Sequence, residues 1–221
     1  MSSYNKVVSI EEAVSHIADG SRIMVGGFAG TGNPVDLIKA IVAKGTKDLT
    51  LICNDTGLST EDVGGLVIAK AVKKAIVSHI GTNPETCRQL AEGEIDVEFV
   101  PQGTLVERIR AGGFGLGGFL TPTGVGTAVE EGKQRITTNE KDYLLELPLK
   151  ADVAIIRAAK ADKMGNLCYH GTNVSHTTMM ATAAAITIVQ ADEIVEVGEI
   201  TPDQAVTPSL FINYIVQRGG N

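Results

Sequence analysis

Asp19-Gly20-Ser21-Arg22-Ile23-Met24-Val25-Gly26-Gly27-Phe28-Ala29-Gly30-Thr31-Gly32-Asn33-Pro34 places an apolar strand, a glycine turn and a helix start within sixteen residues. Ile23-Met24-Val25 is a short apolar run of the kind that fills a parallel strand buried on both faces. Gly26, Gly27, Gly30 and Gly32 follow, and residues without a Cβ let backbone amides come close to a ligand. Asn33 is the expected N-cap of the next helix, and Pro34 suits its first position. Val35, Leu37, Ile38, Ile41 and Val42 then give that helix one apolar face. Two readings fit the turn: a cradle for an anion or phosphate at a helix N-terminus, or tight packing alone.

Working outward, Ser9 with Glu12 three residues later is a capping-box pattern, and Ile10, Ala13, Val14 and Ile17 have helical spacing. After the glycine turn and its helix, a strand is expected over 49–53, ending in the loop residues Asn54-Asp55-Thr56-Gly57. A helix is expected over 66–72 and a strand over 75–77. Asn83-Pro84 then repeats the cap-plus-proline start for a helix to about Ala91. A strand over 97–100 and a helix over 104–111 follow. Strands alternating with helices predict an α/β fold, a mostly parallel central sheet with helices on both faces. Residues 112–132 hold eight glycines around Thr121-Pro122-Thr123-Gly124 and read as a long loop with a functional look. Strands over 143–147, 153–156 and 186–189, a small-residue helix near 177–185, and a closing segment over 210–216 complete the expectation. No internal repeat is visible.

The 221 residues suit one domain with a substantial core, spanning 1–221. Twenty-five glycines exceed the usual ~7% and argue for many tight turns. The net charge of −7, with no Lys/Arg cluster, weighs against nucleic acid or an anionic membrane as partner. Cys53, Cys87 and Cys168 form no C-x-x-C pair, so neither a disulfide framework nor a zinc site is indicated. The opening residues 1–6 have no apolar signal core, and no apolar run reaches ~18 residues, from which a cytoplasmic location is expected.

Two nucleotide-like strings fail on context. Gly113-x-Gly115-x-x-Gly118 follows Glu107-Arg108-Ile109-Arg110 rather than a strand and precedes a Thr-Pro turn rather than a helix. Residues 126–133 resemble a P-loop, but five residues separate the glycines and Gln134 stands where Ser or Thr should hold magnesium. His16, His79, His170 and His176 share no metal-ligand spacing, and Cys53 has no basic neighbour in sequence to lower its pKa. Glu130-Glu131 reads as a solvated pair. Gln102, between Pro101 and Gly103, stands where a strand gives way to a helix, the sheet edge where ligands bind in such folds. Its amide is able to donate to a developing oxyanion, or simply to cap the turn.

The whole pattern, Asp-Gly, two spacers, three apolar residues, Gly-Gly-Phe, three spacers, Gly, one spacer, Pro, resembles the signature of family I CoA-transferase α subunits of the short-chain 3-oxoacid type. The runs over 78–86, 101–113 and 120–127 carry the same resemblance, which extends from Val8 to Val216. Gly117-Gly118-Phe119-Leu120 looks more like the acetate/acetoacetate/butyrate enzymes than the succinyl-CoA:3-oxoacid ones. The resemblance implies ping-pong transfer of CoA between an acyl-CoA and a free carboxylate, through a glutamyl-CoA thioester. It implies no tightly bound cofactor, with coenzyme A present as acyl-CoA substrate. The family's nucleophilic glutamate lies in a Ser-Glu-Asn-Gly-like motif of the β subunit, and no such tetrapeptide occurs here. An α2β2 assembly with a β subunit is therefore implied. By the same resemblance Gly26, Gly27, Phe28, Ala29, Gly30, Thr31 and Gly32 match the CoA-binding segment, Gln102 the oxyanion-stabilising glutamine, and Asn54 an asparagine beside the bound thioester. Asp55 departs from relatives that carry Asn there. The alternatives are the corresponding α-type half of a succinyl-CoA:3-oxoacid CoA-transferase and a non-catalytic CoA-binding module of the same fold.

Overall fold

The computed structural model describes residues 4–219; residues 1–3, the start of the segment read as free of a signal core, lie outside the described residues. Ser9 Oγ accepts from the Glu12 N–H (3.1 Å) and opens α1 (Ile10–Ser15) as the capping pattern predicts. The chain then runs through β1 (Arg22–Val25), α2 (Val35–Lys44), β2 (Leu49–Ile52), α3 (Gly64–Ile68), β3 (Val72–Val77), α4 (Pro84–Ala91), β4 (Asp96–Phe99) and α5 (Gln102–Gly113). A small excursion follows, β5 (Phe119–Thr121), β6 (Arg135–Thr138) and β7 (Lys141–Glu146), before the chain returns in β8 (Ala151–Asp162), β9 (Leu167–Cys168), α6 (Thr177–Ala183), β10 (Ala184–Val195) and β11 (Tyr214–Gln217).

The main sheet has the order β11-β10-β8-β1-β2-β3-β4, with every pair along that path parallel and β9 antiparallel on β8. β1 is therefore internal, and its alternation divides the core. Ile23 and Val25 pack on the face covered by α1, α2 and α3, whereas Met24 packs with Leu105 of α5 and Met180 of α6 on the other. Ile23, Met24 and Val25 are all fully buried, each contributing at most about 1.5–3 kcal/mol of hydrophobic stabilisation. The expected α/β architecture, a mostly parallel sheet with helices on both faces, is the one observed.

Two expectations along the chain need correcting. The helix expected over 66–72 ends at Ile68, and Val72 already belongs to β3. The stop is a Schellman close without glycine: Lys70 takes φ +53°, its N–H donates to the Val67 carbonyl (2.9 Å), and the Ala71 N–H donates to the Leu66 carbonyl (3.0 Å). Residues 112–132 are also not one long loop. Gly112 and Gly113 finish α5, where a Cβ would sit 2.3 Å from the Leu149 carbonyl oxygen and 2.0 Å from Thr182 Oγ1 of α6 respectively. These glycines permit close packing of α5. The chain then enters a three-stranded antiparallel sheet ordered β5-β7-β6. Among the described residues, no helix is long and apolar enough to cross a membrane.

Candidate functional site

The chain leaves β1 outward to β4 on one side and comes back to β1's other side as β8, so strand order reverses between β1 and β8. In open parallel sheets, the crevice outside the strands' carboxyl ends at such a reversal is where ligands bind. Gly26 follows β1 there, Asn54 and Asp55 follow β2, Ser78 and His79 follow β3, and Gln102 follows β4. Residues far apart in sequence thus reach one edge because β1, β2, β3 and β4 all point the same way.

The glycine segment is a tight hairpin. Phe28 and Thr31 exchange two backbone hydrogen bonds (2.9 Å each), with Ala29 at φ +47° and Gly30 at φ +78° between them, the signature of a type I′ turn. Gly27, at φ +117°, has no room for a side chain: a Cβ would lie 2.2 Å from Asn33 Nδ2 and 2.9 Å from the Thr31 carbonyl oxygen.

Asn33 does not cap α2, contrary to expectation. It is buried, its Nδ2 donates to the Gly26 carbonyl (2.7 Å) and its Oδ1 accepts from the Val63 N–H (3.0 Å), so it stitches β1's end to the segment before α3. The α2 cap comes from the far half of the chain: Oε1 of fully buried Gln190, on β10, accepts from the N–H groups of Asp36 (2.9 Å) and Leu37 (3.3 Å). At Asn83-Pro84 the same sequence signal behaves as expected, with Asn83 Oδ1 accepting from Glu85 (3.1 Å) and Thr86 (3.4 Å). The difference is that Asn33 has a buried carbonyl and amide to satisfy, which leaving unpaired would be costly.

The N-terminus of α2 is already occupied from within the fold. Its first amides are engaged by Gln190, and two carboxylates flank the turn. Oδ2 of Asp55 accepts from the Ala29 N–H (2.8 Å), and Oδ2 of Asp62 lies 3.2 Å from where a Cβ on Gly30 would be. Negative charge at that distance opposes a bound polyanion. The turn instead forms one wall of a cavity of about 470 Å³ lined by Phe28, Ala29, Thr31, Thr172, Val174 and Ser175, none of them charged. Phe28 is 46% exposed there. A separate cavity of about 390 Å³, lined by Lys160, Cys168 and Tyr169 among others, shares none of these residues.

The second cluster joins Gln102, Asn54 and Asp55. Gln102, first residue of α5 and exposed, donates from Nε2 to Oδ1 of Asn54 (2.7 Å). Asn54 Nδ2 donates in turn to Oδ2 of Asp55 (2.8 Å), and Ser78 Oγ donates to the Asn54 carbonyl (2.7 Å). An amide nitrogen carries two hydrogens, so Gln102 keeps one N–H to offer at the surface of the cluster. Asn54 and Asp55 are each only 5% exposed, so Gln102 is the member of the chain that faces outward.

The sequence missed the cover of this site. Asn173 lies against Gly32, and Thr177 against Gly26, where a Cβ would come 3.0 Å from Thr177 Oγ1. His176 is buried between them in sequence, with Nδ1 3.0 Å from Ser175 Oγ. Burial lowers its pKa, the charge of nearby Asp55 acting in the opposite direction. Nothing in local sequence signals this cover, since it lies more than 140 residues from the turn. Cys53 is buried and its thiol pKa is raised, first by burial, which fits a structural residue rather than a nucleophile. Glu107 pairs with Arg110 (2.7 Å), and Glu130 pairs with Arg135 (2.6 Å) and accepts from the Gly126 N–H (2.7 Å), so Glu130 is not simply solvated.

The family model described as coenzyme A transferase matches residues 7–218. The chain is similar to the acetate CoA-transferase alpha subunit of Escherichia coli K12, 52% identical over 211 residues that cover 96% of each chain. It is also 47% identical to the acetoacetyl-CoA:acetate/butyrate CoA transferase alpha subunit of Clostridium acetobutylicum, covering 96% of this chain and 98% of that one. One chain of a probable succinyl-CoA:3-ketoacid coenzyme A transferase of Bacillus subtilis is 46% identical, over 94% of this chain and 87% of that one. Among solved structures, the fold matches an acyl-CoA transferase from E. coli O157:H7 in a thioester complex with CoA, with TM-score 0.85, 22% identity and 96% of this chain covered. The present chain spans 47% of that one. The fold also matches glutaconate coenzyme A-transferase from Acidaminococcus fermentans, with TM-score 0.84, 21% identity, and 96% and 75% of the two chains covered.

Proposed function

The chain belongs to the coenzyme A transferase family, and on that premise we propose that it is the α subunit of a short-chain acyl-CoA:carboxylate CoA-transferase. It works with a β subunit, in an α2β2 assembly, on acetoacetyl-, acetyl- or butyryl-CoA and a free carboxylate. The observation that carries this reading is the hydrogen-bonded chain Gln102–Asn54–Asp55–Ala29 at the carboxyl edge of the sheet, in a protein similar over nearly its whole length to transferase α subunits.

The β subunit's glutamate carboxylate attacks the acyl-CoA thioester carbonyl. The C–S bond breaks, CoA leaves as thiolate, and an acyl-glutamyl anhydride remains. The thiolate then attacks the glutamyl carbonyl, releasing the first carboxylic acid as its carboxylate and leaving a glutamyl-CoA thioester. The acceptor carboxylate repeats the two steps in reverse. Each addition passes through a tetrahedral oxyanion, and a donor already fixed in place stabilises it without reorganising. Gln102 supplies that donor: one N–H is anchored on Asn54 and the other is aimed outward. The segment 26–32, whose cavity has no charged lining, contacts the neutral part of the CoA substrate near the thioester.

The test is to assemble the chain with its β-type partner, supply acetoacetyl-CoA and acetate, follow acetyl-CoA formation, and trap the enzyme-bound thioester with borohydride. Turnover and a trapped glutamate on the partner, both dependent on the partner, are expected. Turnover by this chain alone would sink the reading and make its own glutamates, Glu107, Glu130 or Glu131, the candidates. Replacing acetate by succinate separates the succinyl-CoA:3-oxoacid alternative, and no transfer at all would favour a non-catalytic module.

A further inference from the structure

We infer that Asp55 is a positioning residue of the transfer reaction: one of its oxygens ties the turn at 28–31 to the Asn54–Gln102 pair, so that the cavity wall and the oxyanion donor are held as one unit. Oδ2 accepts from both the Ala29 N–H and Asn54 Nδ2, each at 2.8 Å. Oδ1 accepts from the Gly57 N–H (2.9 Å), which fixes the plane of the carboxylate. All three donors are N–H groups around a side chain that is 5% exposed, and such charge-assisted bonds are the stronger kind. Ala29 sits at φ +47°, a conformation that a side-chain-bearing residue keeps only when its surroundings hold it. Asp55 is what holds its amide. The backbone of the same residue is anchored too, since Cys53 Sγ donates to the Asp55 carbonyl (2.9 Å) and Asp55 bridges to His79 at the end of β3. Asp55 is thus the point where the ends of β1, β2 and β3 meet, and through Asn54 the end of β4 joins them.

This inference rests on the proposed function for its kinetic half, so the experiment pairs kinetics with a readout that does not need activity. Asp55→Ala removes both acceptors. Asp55→Asn keeps the shape but presents an NH₂ either to Gly57 or to the Ala29–Asn54 pair, so it must lose one side. For the chain assembled with its β-type partner, turnover is expected to fall on the order of 10²-fold in Asp55→Ala, with a much smaller change in the acyl-CoA KM, because the donor is displaced rather than removed. Amide hydrogen exchange in residues 26–32 should speed by at least about 10-fold in the same variant. In Asp55→Asn, turnover and exchange should move together, whichever side is lost. Combined with Gln102→Ala, Asp55→Ala should add little further loss, since the two act through one donor. Lost turnover with unchanged exchange, or losses that multiply in the double variant, would overturn the inference. Should Asp55→Ala fail to fold, the correlation and the double variant are read in Asp55→Asn. An inactive wild-type complex would instead refute the transferase reading, while exchange still decides whether Asp55 holds the turn.

Discussion

Gln102 Nε2 lies 2.7 Å from Asn54 Oδ1, so the first side chain of α5 is oriented by a residue of the loop that follows β2. If that bond presents the oxyanion donor, Gln102→Ala should lower kcat by on the order of 10²-fold with a modest change in KM. Asn54→Ala should fall in the same direction, and the double variant should be little worse than Gln102→Ala. Steady-state kinetics of the assembled enzyme checks all three; unchanged turnover in Gln102→Ala removes the assigned role.

Glycine content predicts opposite outcomes at two positions. Gly27→Ala would drive a Cβ to 2.2 Å from Asn33 Nδ2 at φ +117°, and a loss of about 3 kcal/mol is expected. Gly103, within α5, has open space around a Cβ, so Gly103→Ala should gain about 0.4–1 kcal/mol. Urea midpoints of the two variants should shift in opposite directions.

The cap of α2 resides on another strand. Gln190→Ala leaves the Asp36 and Leu37 N–H groups without their acceptor, a cost of about 2–3 kcal/mol. Asn33→Ala should also destabilise, by breaking the Gly26 and Val63 bonds, yet exchange at the α2 N-terminus should accelerate only in the Gln190 variant. Equal acceleration in both would contradict the assignment of the cap.

His176 makes stability depend on pH with a definite sign. Burial holds its folded-state pKa below the ordinary value of 6.5. Above pH 6.5 both folded and unfolded forms are neutral; as pH falls through 6.5 the unfolded chain takes up the proton first, and stability is lost until the folded imidazole titrates. His176→Gln should flatten this part of the curve. Denaturant midpoints at about pH 7.5 and about pH 5.5 provide the comparison.

Thiol labelling distinguishes the cysteines. Exposed Cys87 should react first, while buried Cys53, its thiol pKa raised by burial, should react only on unfolding. Mass spectrometry after brief labelling of the native chain reads this directly; early modification of Cys53 would contradict its structural role.

The sequence by itself determined the frame. Ile23-Met24-Val25 specified a central strand because three consecutive apolar residues can be satisfied only where both faces are covered. The alternation of apolar strands with amphipathic helices implied a parallel sheet, and Gln102 was placed at its carboxyl edge by the change from strand to helix. Local signals also succeeded wherever the partner was local, as at Ser9 with Glu12 and Asn83 with Pro84. They failed where the partner was remote. Asn33 reads as a cap, but a buried carbonyl and a buried amide claim it, while Gln190, more than 150 residues away, caps α2 instead. Lys70 closes α3 without the glycine that would announce it. Asp55 reads as one more loop residue, and becomes a junction only once β1, β2 and β3 lie side by side with their ends together. Strand pattern is encoded within a few residues, but hydrogen-bond satisfaction is a property of whatever the fold brings within 3 Å, and only the tertiary structure decides that.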